Sequence, residues 1–220
     1  MSNYDKCFEK HSFAELNDMD IGKFYNIMNT YGNKLNKEIS IFFDVGCNAG
    51  SFVKVLQQYG FHNNIHCFEP HPVLSKVVKN IYPYIEMNEF CLSNYNGSAT
   101  IHIPTWSVGL SSLIRRPVFD RLGQDINELS VPCLTLDYYC YQNNIDHIDF
   151  LKIDVEGAEK LVFQGAHQLL SNHKVYSGLF EIGDTLEDAG TSTEELCRMI
   201  EGYGYKLDKG FSESDIYFYL

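Results

Sequence analysis

Three short groups of residues have types and spacings that suit binding and catalysis. The first is Asp44-Val-Gly46-Cys-Asn48-Ala-Gly50, followed by Ser51. Glycines let a backbone approach a ligand closely. This D-x-G-x-N-x-G turn suits a ligand with an amino-acid moiety. Backbone N–H groups would take its carboxylate, and Asp44 with backbone carbonyls would face its ammonium. The glycine fingerprint of dinucleotide binding fails, because positions 48 and 51 are Asn and Ser, and a P-loop fails because no Gly-Lys-Ser/Thr follows. The plainer account is a glycine-rich turn between a strand and a helix. The second group is Glu69-Pro70, with Glu69 lying 23 residues beyond Gly46. An acid at the end of a second strand commonly accepts bonds from ribose hydroxyls, because a carboxylate can chelate a vicinal diol. The third group is Lys152-Ile-Asp154-Val-Glu156-Gly157-Ala-Glu159. Strand alternation places Lys152 and Asp154 on one side. Unpaired buried charge is unfavourable, so three acids and a lysine at a buried strand end call for a purpose. The helix macrodipole accounts for Glu156 and Glu159, but not for Lys152. Glu181, ending Phe180-Glu-Ile, faces the same edge from the next strand.

The elements that must position these groups alternate along the chain. Ser40–Val45, Ile65–Glu69, Tyr84–Leu92, Val131–Leu136, Ile148–Asp154 and Val175–Ile182 have strand length and apolar content. Phe52, Val55, Leu56 and Tyr59 recur at helical spacing, as do Ala158, Leu161, Val162, Gly165, Leu169 and Leu170. Pro72 suits the first turn of a helix running to Pro83. Asn96-Gly97 turns the chain into a hairpin arm over Ser98–Ile103. Ser192 with Glu195 is a capping box. Tyr205–Leu207 and Ile216–Leu220 make a closing antiparallel pair, while residues 104–130 are irregular. Residues 1–37 form a helical arm or cap. Strands alternating with helices imply a mostly parallel sheet with helices on both faces. Ligands bind such sheets at the carboxyl ends of the strands, where all three groups fall.

Composition narrows the function. The 220 residues are 45% apolar and 21% charged, as in an ordinary globular protein, and fit one domain spanning the chain. Net charge is −12, and Arg115-Arg116 is the only adjacent basic pair. This disfavours nucleic acid and anionic membranes as partners. No apolar run has the length of a secretory signal or a membrane span, so a cytoplasmic protein is expected. Seven widely spaced cysteines without C-x-x-C argue against disulfides and zinc. His66, His71, His102 and His147 are scattered and read as structural or exposed.

Five motifs, in order, resemble the FkbM-type methyltransferases: Asp44–Phe52 (DVGCNAGSF), Cys67–Pro70 (CFEP), Leu92–Gly97 (LSNYNG), Leu134–Asp137 (LTLD) and Leu151–Gly165 (LKIDVEGAEKLVFQG). Cys47-Asn48 stands where the family often has Ala-Asn. The resemblance implies an α/β fold with a Rossmann-like seven-stranded sheet and an antiparallel last strand. It also implies S-adenosylmethionine-dependent O-methylation of a sugar, glycan or glycosylated metabolite. Asp44, Gly46, Asn48, Gly50, Ser51, Glu69 and Pro70 would hold the donor, with Ser93 near its adenine. Asp154 is the first candidate for base or metal ligand and Glu181 the second, while Lys152 would tune a neighbouring acid or hold the acceptor oxygen. Carboxylate ligands suit Mg²⁺ or Mn²⁺, and metal-assisted and metal-free catalysis both stay open. Residues 104–130 match none of these motifs; the loop Trp106–Leu113, with its glycine, hydroxyls and the only tryptophan, reads either as a lid whose Trp106 and Ser111 contact the acceptor or as a surface loop anchored by its tryptophan, and Glu156 is a further acceptor contact. A glycan-modifying domain of this kind would suit fusion to, or association with, glycosyltransferases. The competing reading is a catalytically inactive binding module on the same fold.

Overall fold

The computed structural model describes residues 21–220 except Leu122 and Gln124, so the expectation for residues 1–20 lies outside the described residues. The described strands are β1 (Phe42–Val45), β2 (Ile65–Phe68), β3 (Glu86–Asn88), β4 (Cys91–Leu92), β5 (Gly97–Pro104), β6 (Ile126–Leu134), β7 (Ile148–Ile153), β8 (Val175–Glu181), β9 (Lys206–Asp208) and β10 (Asp215–Tyr219). The described helices are α1 (Ile21–Tyr31), α2 (Ser51–Gln58), α3 (Pro72–Ile81), α4 (Pro117–Arg121), α5 (Leu136–Gln142), α6 (Glu159–Gly165), α7 (His167–Ser171), α8 (Asp184–Asp188) and α9 (Thr193–Gly202).

Seven strands join in one sheet in the order β3-β2-β1-β7-β8-β10-β9. Its pairings are parallel except those of β10, which runs against β8 and β9. The expected seven strands and reversed last strand are therefore present. Strand alternation divides the core between two faces. Phe42 packs with Phe24, Phe52, Phe61 and Phe150 on one face. Phe43 packs with Phe68, Tyr139 and Leu151 on the other. Each such buried phenylalanine contributes roughly 1.5–3 kcal/mol. Helix α1 joins the first face through Phe24, Ile27 and Met28, with the Phe24 and Phe52 rings 5.1 Å apart.

A second sheet, β4-β6-β5, stands beside the first. It corrects two expectations. Tyr84–Leu92 is not one strand: it divides at Glu89-Phe90, and Cys91–Leu92 pairs with Cys133–Leu134. Asn88 ends β3 by donating to Cys67 O at 3.1 Å and to the Tyr139 hydroxyl at 3.2 Å. Strand β6 begins at Ile126, ahead of the expected Val131, because β5 offers it a partner as far as Pro104. The helix expected over Ala158–Leu170 is two, α6 and α7, joined at Ala166. Helices α5 and α8 are too short for a periodic signal.

The sheet order reverses between β1 and β7, so the carboxyl ends of these neighbours form the crevice where such folds bind ligands. The described cysteines are all free and buried. No described helix is long and apolar enough to cross a membrane.

Candidate active site

Asp44 and Lys152 are register partners on β1 and β7, which sets their side chains together. The Lys152 ammonium lies 2.9 Å from Asp44 Oδ1, donates to Gly46 O at 2.8 Å and lies 3.6 Å from Asp154 Oδ2. Burial alone would lower its pKa, but Asp44 and Asp154 outweigh burial and hold it above the ordinary lysine value. Asp44 is fully buried; burial raises its pKa against the pull of Lys152.

Gly46 has φ +73°, and a Cβ there would fall 1.9 Å from Asp154 O. Only glycine lets β1 and β7 end side by side. The Gly46 and Cys47 N–H groups donate to Phe68 O, Gly50 N–H to Cys47 O, and Asn48 N–H to Glu69 Oε2 at 2.9 Å. These four amides are thus committed within the chain. The turn offers side chains instead: Asn48 and Ser51 line a cavity with Glu69 and Pro70. Asn48 Oδ1 is buried without a hydrogen-bond partner among the described residues. Glu69 also accepts from His71 N–H at 2.9 Å, and burial pushes its carboxyl up to about 7. A carboxylate with two amide bonds still has lone pairs for a diol.

The same cavity, of about 150 Å³, is lined at its other end by Lys152, Asp154, Glu156 and Glu181. Burial opposes ionisation of Asp154, yet Lys152 and Lys23, each 3.6 Å away, hold its carboxyl below the ordinary value. Glu181 is pushed up to about 10, first by burial and then by Asp154 and Glu156. Its Oε2 is buried without a partner among the described residues. Burial and Asp154 raise Glu156 to about 8 against Arg116, whose Nη1 lies 3.2 Å from Glu156 Oε2. Glu156 has φ +56°, a strained backbone for a residue with a side chain. Glu159 lies outside the cavity lining; its carboxylate accepts from Val155 and Gly157 N–H and so holds this loop.

Asp154, Glu156 and Glu181 each place a carboxylate oxygen within 4.8 Å of the others. Hard cations take such all-oxygen sets. Here Lys23, Lys152 and Arg116 already supply countercharge.

The structure therefore brings together Gly46, Asn48, Ser51, Glu69, Pro70, Ser111, Lys152, Asp154, Glu156 and Glu181 as lining of one cavity. Asp44 and Gly50 lie outside the lining and shape the turn from beneath. Ser93 is outside it too. A Cβ on Gly165 would sit 2.0 Å from Ser93 O, so α6 packs directly on that segment. Residues Ser107–Leu113 wall the cavity, with Gly109 against Asn48, but Trp106 turns into a second cavity. His71 caps α3 through Nδ1 and His66 meets the Tyr139 hydroxyl, both structural as expected. Two residues escape the sequence reading. Lys23 arrives from α1, which has no motif, and binds Asp215 at 3.1 Å as well as Asp154. Arg116 was visible only as half of a basic pair.

A family model described as Methyltransferase FkbM domain matches residues 44–207. The 2-O-methyltransferase NoeI of Sinorhizobium fredii is 30% identical over 151 residues, covering 62% of this chain and 61% of that protein. The match thus spans about three fifths of that relative's length. A TehB-like SAM-dependent methyltransferase structure from Corynebacterium glutamicum superposes with TM-score 0.51 at 13% identity, over 99% of this chain and 95% of that one. That likeness bears on the fold alone. With the motifs in order on this sheet and a family match across most of the chain, the protein belongs to the FkbM family of S-adenosylmethionine-dependent methyltransferases.

Proposed function

We propose that the chain methylates a hydroxyl oxygen of a sugar, glycan or glycosylated metabolite. The observation that carries this reading is one cavity with two unlike ends, Asn48 and Glu69 at one and the Asp154–Glu156–Glu181 carboxylates at the other. The name of the 2-O-methyltransferase relative supports an oxygen acceptor. The orphaned Asn48 Oδ1 suits the donor's ammonium, and Glu69 suits its ribose. When bound, S-adenosylmethionine supplies a methyl already activated on a sulfonium, so positioning dominates catalysis.

Asp154 accepts the hydrogen bond of the acceptor hydroxyl and orients its lone pair. As the oxygen takes the methyl it becomes strongly acidic, so even a carboxylate below its ordinary pKa receives the proton. By taking the proton Asp154 would lose its negative charge as the sulfonium charge of a bound donor is consumed, so the site would end with unchanged net charge. Lys152 and Lys23 keep Asp154 ionised beforehand, and Glu181 stays protonated beside it. Loading requires Ser107–Leu113 to lift from Asn48, since about 150 Å³ is below the usual volume of a ligand site.

The test is calorimetric titration with S-adenosylhomocysteine, alongside labelled-methyl transfer to a panel of hydroxyl acceptors. One-to-one binding is expected, weakened roughly tenfold or more, about 1.4 kcal/mol, by Glu69→Ala. Asp154→Asn should bind comparably and lose turnover by roughly a hundredfold or more. Binding without transfer to any acceptor would favour the inactive binding module, and no binding would overturn the reading.

A further inference from the structure

We infer that the second cavity is a saccharide subsite, holding the non-reacting part of an uncharged, hydroxyl-rich acceptor. This deepens the proposed function and rests on it. The cavity is an open cleft of about 550 Å³, within the range of small-molecule sites, and lies between the Trp106 loop, α4 and α8. Leu110 lines both cavities, and Arg116 stands at their boundary. The Arg116 guanidinium reaches Glu156 at 3.2 Å and Leu110 O at 3.3 Å, and stacks over Phe119 at 4.7 Å. A ligand in the second cavity is therefore separated from the carboxylates by one side chain.

Its lining chooses the chemistry. Trp106 gives aromatic surface of the kind sugar rings pack against, while Phe119 lies fully buried beneath Arg116 and holds it in place. Trp106 Nε1 and Arg116 Nε are buried without hydrogen-bond partners among the described residues. Leaving such donors unmet costs about 1–3 kcal/mol each, so a small turn of either side chain into the cavity would be met by a ligand oxygen. Asp184, Thr185 and Glu187 on α8 offer oxygens to ligand hydroxyls, while the Asp188 carboxylate is occupied by Arg121 and Val118 N–H. The charged lining is two arginines against three acids, which disfavours a diphosphate-linked sugar and favours a neutral glycoside.

Trp106 is the only tryptophan in the chain, so its fluorescence reports on this cavity alone. The experiment titrates the S-adenosylhomocysteine-loaded protein with methyl hexosides and the matching disaccharides, reading tryptophan emission, with labelled-methyl transfer measured in parallel. A saturable emission change is expected, tighter by about tenfold for disaccharides than for methyl hexosides. Asp184→Asn with Thr185→Val should weaken it by a similar factor. Trp106→Ala and Trp106→Phe should raise acceptor KM by about tenfold, change kcat by less than about threefold and leave S-adenosylhomocysteine affinity intact, with Phe the milder. Unperturbed emission across the whole panel, with S-adenosylhomocysteine bound, overturns the subsite. Methyl transfer with silent emission overturns the subsite while sparing the proposed function, and failure to bind S-adenosylhomocysteine overturns both.

Discussion

The two ends of the first cavity are built on opposite terms. At the glycine turn, four amides are satisfied inside the chain, and Lys152 binds Asp44 and the Gly46 carbonyl. At the acid end, Glu181 keeps an unpartnered buried oxygen, Glu156 sits in left-handed backbone, and carboxyl pKa values are driven apart. One end is tied together mainly by its own backbone and lysine bonds, with Asn48 Oδ1 left unpartnered and Glu69 raised by burial. The other stores unfavourable charge and strain, as reactive sites commonly do. Substitutions should therefore have opposite signs at the two ends.

The largest effect is expected at the turn. Gly46→Ala drives a Cβ into the Asp154 carbonyl, and a loss of about 5 kcal/mol or outright failure to fold is expected from denaturant titration. Next, Lys152→Met leaves the fully buried Asp44 without its ammonium, costing about 3–4 kcal/mol. The double variant with Asp44→Asn should recover part of that loss, and if it recovers none the pair is not what organises the turn.

At the acid end the sign reverses. Glu181 has a folded pKa of about 10, raised above the unfolded value, so its contribution is intact below the unfolded pKa and declines as pH rises through about 10. Glu181→Gln should stabilise the fold by roughly 1–2 kcal/mol at pH 8 and by much less at pH 4, read as the pH dependence of Tm. A destabilised variant at pH 8 would break the comparison. The smallest effect comes from outside both ends. Asp154, the proposed base, has a lowered pKa, so its carboxylate is lost as pH falls through it. Lys23→Met should move the acid limb of kcat/KM upward by about one pH unit. An unmoved limb would assign that tuning to Lys152 alone.

How much the sequence reveals follows from how local each cause is. Gly46, Glu69 and Asp154 are legible because their spacing reflects strand ends, which periodicity finds. The Lys152–Asp44 pair is half legible: alternation gives the facing side, but only register gives the partner. Lys23 and Arg116 are illegible, because each meets its carboxylate through tertiary contact across a long stretch of chain. Trp106 shows the limit within a single loop. Its neighbours from Ser107 onward line the cavity of the carboxylates, while Trp106 lines the one beside α8, a division that only the folded path of the loop sets.

The Lys23–Asp215 ion pair has a consequence for ancestry. Both residues lie outside the span 44–207 that the family model matches, one before it and one after. The shared block thus brings the carboxylate proposed as the base and Lys152 beside it, while the second ammonium that holds it ionised comes from flanking sequence. A different residue at position 23 would shift the acidity of Asp154 without altering a residue inside the matched span.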